Sequence, residues 1–504
     1  MNEGQLSAAE ERFEKFRKRA GLVLAPVIFA ALWFAPLPDL AMGPHRLLAI
    51  LGLVVTLWVS EGIPLPATAL LGPTLCVLAG LGTAKEVFKS FADPIVFLFL
   101  GSFLLAEAML HHGLNRRIAF HILGLPWVGE NPQRLLLAFG AITGLISMWI
   151  SNTATTAMMF PIGVAILSEM AVRQSARSGC TVKFTELRYG TGLMLMAAFA
   201  SSIGGLATPV GTPPNLIGLG LIQKSLGVKI SFFQWMSFGT PLALALIVFL
   251  FFYLNRVCRA EPGLMGGSAV WLHAERAKLG GISRAEKNVL LAFGVTILLW
   301  VLPGILTVSG AAESALCRWM NAHLPEAMAA LIGALLLFVL PTGRGVSTLT
   351  WREAQRIDWG TILLFGGGLA LGELMFSTGL AEWIGQGLAQ AMEAKTVLGL
   401  VMLFTAVAIV VSEATSNAAA ATMVVPVAIA VAQAAGVNPL QPALAACLGA
   451  SMGFMLPVST PPNAIVYGSG CVPLIKMVKY GLLLDLAGFV LIVLVVTWLV
   501  PWVL

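Results

Sequence analysis

Apolar residues fill this chain in long blocks, and the polar residues that interrupt the blocks fall into two recurring phrases. A membrane-crossing helix needs about 20 apolar residues, and runs approaching that length recur from one end of the sequence to the other. They predict membrane segments at about 21–37, 46–62, 66–82, 93–110, 188–207, 236–256, 286–308, 325–341, 359–378, 441–457 and 479–503. Two further apolar stretches, 134–172 and 396–434, are longer and are interrupted near their middles by SNTATT (151–156) and TSNAAAA (415–421). Each is compatible with two full spans or with a re-entrant hairpin. Their arms are short for full spans, and a polar tip at a lipid-exposed surface would have no structural reason. The reading taken is two hairpins with polar tips at mid-depth.

The phrases belong to a larger duplication. LFLGSFLLAEAMLHHGLNRRI (98–118) and LFGGGLALGELMFSTGLAEWI (364–384) share 9 of 21 positions at an offset of 266, among them Gly101/Gly367, Glu107/Glu373 and Gly113/Gly379. The SN phrases follow at an offset of 265 (Asn152/Asn417, Pro161/Pro426), then TPVGTPPN (208–215) against LPVSTPPN (456–463) at 248. Three matched blocks in one order imply an internal repeat. The first hairpin opens from one side of the membrane and the second from the other, so the repeats are expected to be inverted, with the site at the midplane between them.

Composition agrees. Of 504 residues 58% are hydrophobic and 11% charged, against about 25% charged in a soluble domain. The fold class expected is therefore all-α and polytopic, with about 11 transmembrane helices, two re-entrant hairpins and two broken helices. Residues 2–20 are charged and helix-prone, and no cleavable signal is expected there. With a cytoplasmic N-terminus, inside segments carry 23 Lys and Arg and outside segments 7, which fits the positive-inside rule. The net charge of +6 reflects these loops and is no nucleic-acid signal. Six scattered cysteines form no CxxC, so neither a disulfide framework nor a zinc site is expected. There is no HExxH and no Walker A, which argues against an enzyme. GASMG (449–453) fits GxSxG but reads as helix-packing glycine and alanine.

The chemistry lies in the interruptions. Paired prolines at mid-membrane must break a helix, and non-helical backbone at that depth survives only where it lines a cavity or is buried in protein. A broken helix offers carbonyl ends to cations and N–H ends to anions. No Lys or Arg lies at the tips or breaks. A dianion bound there needs co-bound cations to offset its charge, and a ligand set of carbonyl, amide and hydroxyl oxygens suits sodium. Broken helices with two hairpins point to an occluded site rather than an open anion channel.

SNTATT at 151–156, SN at 416–417, GTPPN at 211–215 and STPPN at 459–463, in this order, resemble the divalent anion:sodium symporter family, the INDY-type dicarboxylate transporters. The resemblance covers about 20 to 504. It implies a homodimer in the lipid bilayer of a bacterial inner membrane, with a scaffold and a moving transport domain working as an elevator. It implies sodium-coupled symport of C4 dicarboxylates such as succinate, malate or fumarate, with no cofactor besides the coupling ions. Sulfate or citrate transport and sodium-independent exchange are the alternatives on the same fold. Carried over, Ser147, Ser151, Asn152 and Gly211 match one sodium site, and Ser412, Thr415, Asn417 and Ser459 the other. Asn152, Thr153, Thr212, Asn417, Thr460 and Pro461 match the substrate contacts. Ala418 departs from the pattern, since many relatives have Thr there. The organisation expected is an N-terminal segment (1–20), a first part with repeat 1 (21–235; hairpin 134–172, broken helix 188–223), connecting helices (236–308) and a second part with repeat 2 (309–504; hairpin 396–434, broken helix 441–471).

Among single residues, Glu107 and Glu373 are matched intramembrane acids, read first as interhelical hydrogen-bond partners and second as proton or cation handlers. Glu413 is read as a structural partner of the second tip. His111, His112 and His121 fall in an interfacial amphipathic helix. Trp127, Trp235, Trp351 and Trp359 are read as interfacial anchors.

Overall fold

The computed structural model describes residues 8–128, 131–262, 264, 268–343, 345–391 and 396–504. Residues 1–7 of the N-terminal segment, with Arg344 and Lys395 of the charge pattern, lie outside them. The described chain is helical throughout and carries no strand, only one isolated bridge between Pro341 and Ser347. Nine of its helices are long and apolar enough to cross a membrane.

The repeat is visible element by element. The helices Pro94–His111 and Trp359–Ser377 are each followed by a short helix, Leu114–Leu123 and Leu380–Ala391. The turns between them pass through Gly113 and Gly379, at φ 69° and 85°. That left-handed backbone costs glycine nothing and a branched residue a great deal, which accounts for the matched pair. Gly101 and Gly367 serve a different purpose. Each lets its helix touch a neighbour's backbone, at Ala330 and Ala69 respectively, where a methyl group would collide.

Two helical pairs then occupy the hairpin regions. Pro132–Ser147 and Asn152–Ser178 form the first, and Val397–Ala414 and Asn417–Ala434 the second. Asn131 caps the first through the Gln133 and Arg134 N–H groups, and Thr396 caps the second through Gly399. The broken helices follow, with arms Arg188–Gly205 and Pro213–Leu226 in the first and Leu440–Gly449 and Pro461–Tyr467 in the second.

Burial shows where the core sits. Every residue from Tyr189 to Gly205 and from Pro442 to Gly449 is buried. These arms have protein on all sides, which is why they tolerate an interruption. Helices such as Phe232–Val257, Arg284–Val308 and Leu474–Leu494 instead expose large apolar side chains: Phe252 is 65% and Leu298 56% exposed. A surface of that kind belongs in lipid.

Three details depart from the expected segments. The first helix runs unbroken from Ala8 to Trp33, so the charged N-terminal segment continues directly into the first apolar run. Glu326–Val339 is preceded by a short helix, Ala315–His323, at a bend of 78°. Trp235 is no interfacial anchor. It is fully buried, and its indole N–H donates to the Leu206 carbonyl at 3.0 Å. That carbonyl belongs to the first helix break and has no helical partner to accept from.

Candidate functional site

Both hairpin tips and both breaks reach one cavity of about 600 Å³. Four helices begin at its wall: Asn152–Ser178, Pro213–Leu226, Asn417–Ala434 and the seven-residue Pro461–Tyr467. Local sequence sets each start. Ser151 and Ser416 cap the hairpin helices, accepting from Ala154 N at 3.2 Å and Ala419 N at 3.3 Å. Thr460 accepts from Asn463 N at 3.3 Å. The prolines occupy the first helical turn of the second arms, where a missing N–H costs nothing. They therefore start those arms rather than interrupt a helix. The breaks lie upstream, at 206–212 and 450–460, after helices that end at Gly205 and Gly449. GASMG packs at its first glycine as expected, Gly449 closing on the Thr405 backbone and on Ala408 of Val397–Ala414. The motif straddles the end of its helix, and Gly453 faces the second tip.

A second layer lies behind the tips. The Ser147 hydroxyl donates to Oδ1 of Asn152 at 2.8 Å, and the Ser412 hydroxyl is shared between Oδ1 of Asn417 at 2.8 Å and the Ala450 carbonyl at 2.7 Å. The breaks press against these amides. A Cβ on Gly205 would stand 2.6 Å from Asn152 Oδ1. On Gly453 it would stand 3.3 Å from Asn417 Oδ1, Ser412 Oγ and Ser459 Cβ. Gly211 approaches the Gly205 carbonyl as closely, so glycine is required at both positions. The asparagines of the TPPN phrases staple the breaks shut. Asn215 Nδ2 donates to the carbonyls of Gly205 and Thr208 at 2.9 and 2.8 Å, and Asn463 Nδ2 to those of Gly453 and Leu456 at 3.1 and 3.0 Å. Their Oδ1 atoms are buried without a donor among the described residues.

The six residues expected at the substrate, Asn152, Thr153, Thr212, Asn417, Thr460 and Pro461, all line the cavity, as do Ser151, Gly211 and Ser459. Ser147, Ser412 and Thr415 are buried behind it. Thr415 turns its hydroxyl back onto the Val411 carbonyl at 2.9 Å. Ala418 is part of the cavity wall.

Glu413 is a structural partner. Its carboxylate accepts from the N–H groups of Phe454, Met455 and Leu456 at 2.6, 2.7 and 3.3 Å and from the Ser459 hydroxyl at 2.6 Å. The first half has no such acid; there Thr208 donates to the Met148 carbonyl instead, at 2.5 Å.

The two matched acids have different surroundings. Glu107 lines the cavity and has no hydrogen-bond or ion partner among the described residues. Glu373 lies away from it, bonded to Ser90 and paired with Lys89 and Lys224. One feature escaped the sequence reading: the cavity has a cation after all. Arg356, with Asp358 and Thr361 beside it, enters from the head of the Glu373 helix. Asp358 is engaged by the N–H and hydroxyl of Thr361 at 3.0 and 2.6 Å. Near this mouth, His111 meets Glu353 at 2.9 Å, and His112 is 2.6 Å from the Thr348 carbonyl. Burial opposes ionisation of Glu353, but the Thr350 N–H and hydroxyl and His111 outweigh it and hold its carboxyl below the usual range.

The arrangement suits an anion in the cavity with cations behind it. Helix N-termini favour negative charge by about 0.3–1 kcal/mol each at exposed sites and up to ~2 when partly buried. Helices also end beside the two Ser–Asn pairs, at Ser147, Gly205, Ala414 and Gly449, where carbonyls lack the next helical turn; that of Gly205 accepts from Asn215 Nδ2 and that of Gly449 from Met452 N. Oxygen-only surroundings of that kind suit a hard monovalent cation better than a soft metal.

The chain is similar to known proteins over nearly its whole length. The family model described as the sodium:sulfate symporter transmembrane region matches residues 17–504. The chain is 34% identical over 490 residues to the sodium-dependent dicarboxylate transporter SdcS of Staphylococcus saprophyticus, covering 96% of this chain and 92% of the relative. It is 35% identical over 491 residues to that of Staphylococcus aureus, covering 96% and 91%. Among solved structures, the Alcanivorax borkumensis YdaH transporter superposes with a TM-score of 0.57 at 14% identity, over 97% of both chains. Neisseria gonorrhoeae MtrF does so with 0.54 at 14%, over 84% of both. At that identity these two share the fold alone. The chain is a membrane transport protein rather than an enzyme, and it belongs to the family of the sodium:sulfate symporter transmembrane region, the divalent anion:sodium symporters.

Proposed function

We propose that this protein couples the movement of sodium to that of a C4 dicarboxylate such as succinate, malate or fumarate. The observation that carries the reading is the convergence of four helix N-termini on one cavity, backed by two matched Ser–Asn pairs beside helix C-terminal ends. The relatives named as sodium-dependent dicarboxylate transporters support the choice of ion and substrate.

In this reading Ser147, Ser151, Asn152 and Gly211 hold one sodium ion, and Ser412, Thr415, Asn417 and Ser459 the other. Asn152, Thr153, Thr212, Asn417, Thr460 and Pro461 receive the two carboxylates. Each asparagine works twice. Its Oδ1, held to the rear by the serine hydroxyl, faces the cation layer, and its Nδ2 hydrogens remain free for a carboxylate. Coupling then has a physical cause. A dianion alone at mid-membrane is strongly disfavoured, and sodium ions a few ångströms behind it offset the charge. The fully loaded and the empty forms can change sides; the half-loaded form cannot.

The rest follows the inverted repeat. The N-terminus is cytoplasmic, the SN phrases are re-entrant tips, and the cavity with Arg356 opens to the cytoplasm. The protein is a homodimer in the bacterial inner membrane. In each protomer the unit carrying the tips moves as an elevator against a scaffold. The test is uptake of labelled succinate into proteoliposomes with and without an inward sodium gradient, competed by malate, citrate, 2-oxoglutarate and sulfate. Sodium-driven, saturable uptake blocked by C4 acids supports the reading. Gradient-independent uptake, or competition by sulfate or citrate alone, replaces it with exchange or with a different anion.

A further inference from the structure

Away from the cavity, the second arm of the first broken helix ends in a cluster of charges. Lys224 Nζ is 3.1 Å from Glu373 Oε2, 2.9 Å from Ser90 Oγ and 3.5 Å from Asp93 Oδ2. The Ser90 hydroxyl donates to Glu373 Oε2 at 2.9 Å, and Lys89 Nζ is 2.5 Å from Oε1. The partners come from two different parts of the molecule. Lys224 is on the arm that begins at the cavity wall with Thr212 and Pro213. Glu373, Ser90 and Asp93 are on the Trp359–Ser377 helix and the segment leading into Pro94–His111, which carry neither the SN nor the TPPN phrases.

The packing between these parts fixes their register. A Cβ on Gly220 would stand 2.9 Å from Leu369, and one on Gly372 would stand 2.5 Å from Leu221. Lys224 lies one helical turn beyond Gly220, and Glu373 one turn beyond Leu369. The ion cluster therefore closes the end of a meshed contact. A slide of one turn, about 5.4 Å, takes Lys224 out of reach of all three partners. The cavity opens at the other end, where Arg356 and Asp358 are exposed.

The repeat provides no counterpart. Glu107, the mate of Glu373, stands in the open cavity without a partner among the described residues. The second arm of the other broken helix, Pro461–Tyr467, is followed by no Lys or Arg until Lys476. We infer that Lys224 and Glu373 are positioning residues of the transport cycle: a one-sided latch that holds the tip-bearing unit in the state seen here and has to open before the cavity can change sides. The inference rests on the reading of this chain as a moving-unit transporter. Because only one end is latched, the ligand-free protein rests with the cavity open toward Leu110 and Arg356.

The test is the reactivity of a cysteine at that mouth, in nanodiscs without sodium or dicarboxylate. Cys180 is the only exposed native cysteine among the described residues, so the parent is Cys180→Ser with Leu110→Cys as reporter. A membrane-impermeant maleimide is expected to label Lys224→Gln and Glu373→Gln at least threefold more slowly than the parent. Ser90→Ala, a milder change, is expected to fall between, and Lys224→Arg to keep the parent rate. Choline chloride should slow labelling of the parent by screening the pair and leave the two Gln variants unchanged. A purely structural ion pair would lower thermal stability without this state-dependent signal. Equal labelling rates in the parent, Lys224→Gln, Glu373→Gln and Ser90→Ala overturn the latch. The readout needs no transport. An absence of sodium-driven uptake in the wild type would refute the transport reading and leave the latch result to stand by itself.

Discussion

The Ser412 hydroxyl donates to the side-chain carbonyl of Asn417 at 2.8 Å, and the same bond joins Ser147 to Asn152, 265 positions earlier, at 2.8 Å. Ser147 is the last residue of its hairpin helix and Ser412 lies in the last turn of the helix that ends at Ala414, while each asparagine is the first residue of the other helix. The bond therefore ties the tip together and orients the amide. Oxygen turns to the rear, where Gly205 or Gly453 presses against it, and nitrogen is left without a hydrogen-bond acceptor among the described residues.

This orientation separates two effects that alanine substitution would merge. Asn417→Asp keeps the rear-facing oxygen, adds negative charge and removes both N–H donors. Sodium binding should survive or tighten. Dicarboxylate binding should fall at least a hundredfold, because a carboxylate then faces a carboxylate. Asn152→Asp should behave alike. Isothermal titration with sodium, and with succinate in saturating sodium, measures both. Equal loss of the two affinities would mean that the amide does not divide its work as described.

Ser412→Ala removes one hydroxyl from the proposed cation layer and the tether of Asn417. The half-saturating sodium concentration for uptake should rise about tenfold, corresponding to roughly 1.4 kcal/mol. At saturating sodium the KM for succinate should move far less. An unchanged sodium dependence would place the ion elsewhere.

Ala418 lines the cavity wall next to Asn417, so Ala418→Thr should change selectivity without abolishing transport. The new hydroxyl is worth at most about 1.5–3 kcal/mol to a carboxylate, and its methyl takes space from larger anions. Competition by succinate and fumarate should strengthen against that by citrate and 2-oxoglutarate. Identical inhibition profiles would show that position 418 does not meet the substrate.

Glu413 replaces, with one carboxylate, the backbone bonds that the second break lacks. Glu413→Gln loses a charge-assisted acceptor of three N–H groups and a hydroxyl. It should cost about 2–3 kcal/mol of stability, visible as a lower Tm in detergent. The milder Trp235→Phe, which frees the Leu206 carbonyl in the first break, should cost about 1 kcal/mol. Wild-type Tm in both would deny that the breaks need side-chain support.

Much of the site could be read from the sequence because it violates a local rule. Amides, hydroxyls and paired prolines do not belong in apolar runs, and a repeated violation marks a repeated structure. Thr212, Asn152 and their mates stood out for that reason. Other features carried no such mark. An aromatic near a span end fits the membrane interface, and only tertiary packing reveals that Trp235 instead serves the Leu206 carbonyl. Paired prolines signal a break, but a helix can end several residues earlier, as at Gly449, with the prolines opening the next one. In the sequence Arg356 and Lys224 are simply two of the loop charges, one counted inside and one outside. Each gains its meaning from a helix far away in sequence, Arg356 from the tips it faces and Lys224 from Glu373.

The most direct test of the account is equilibrium binding of labelled succinate to the purified protein, in sodium and in choline at equal ionic strength. The central claim is that sodium and dicarboxylate share one site through Asn152 and Asn417. It predicts saturable binding in sodium that weakens at least a hundredfold in choline. By reciprocity, it also predicts that saturating succinate raises the overall sodium binding constant, the product over the two sites, by the same factor. Succinate binding of equal affinity in both media, in protein that retains its fold, would contradict it.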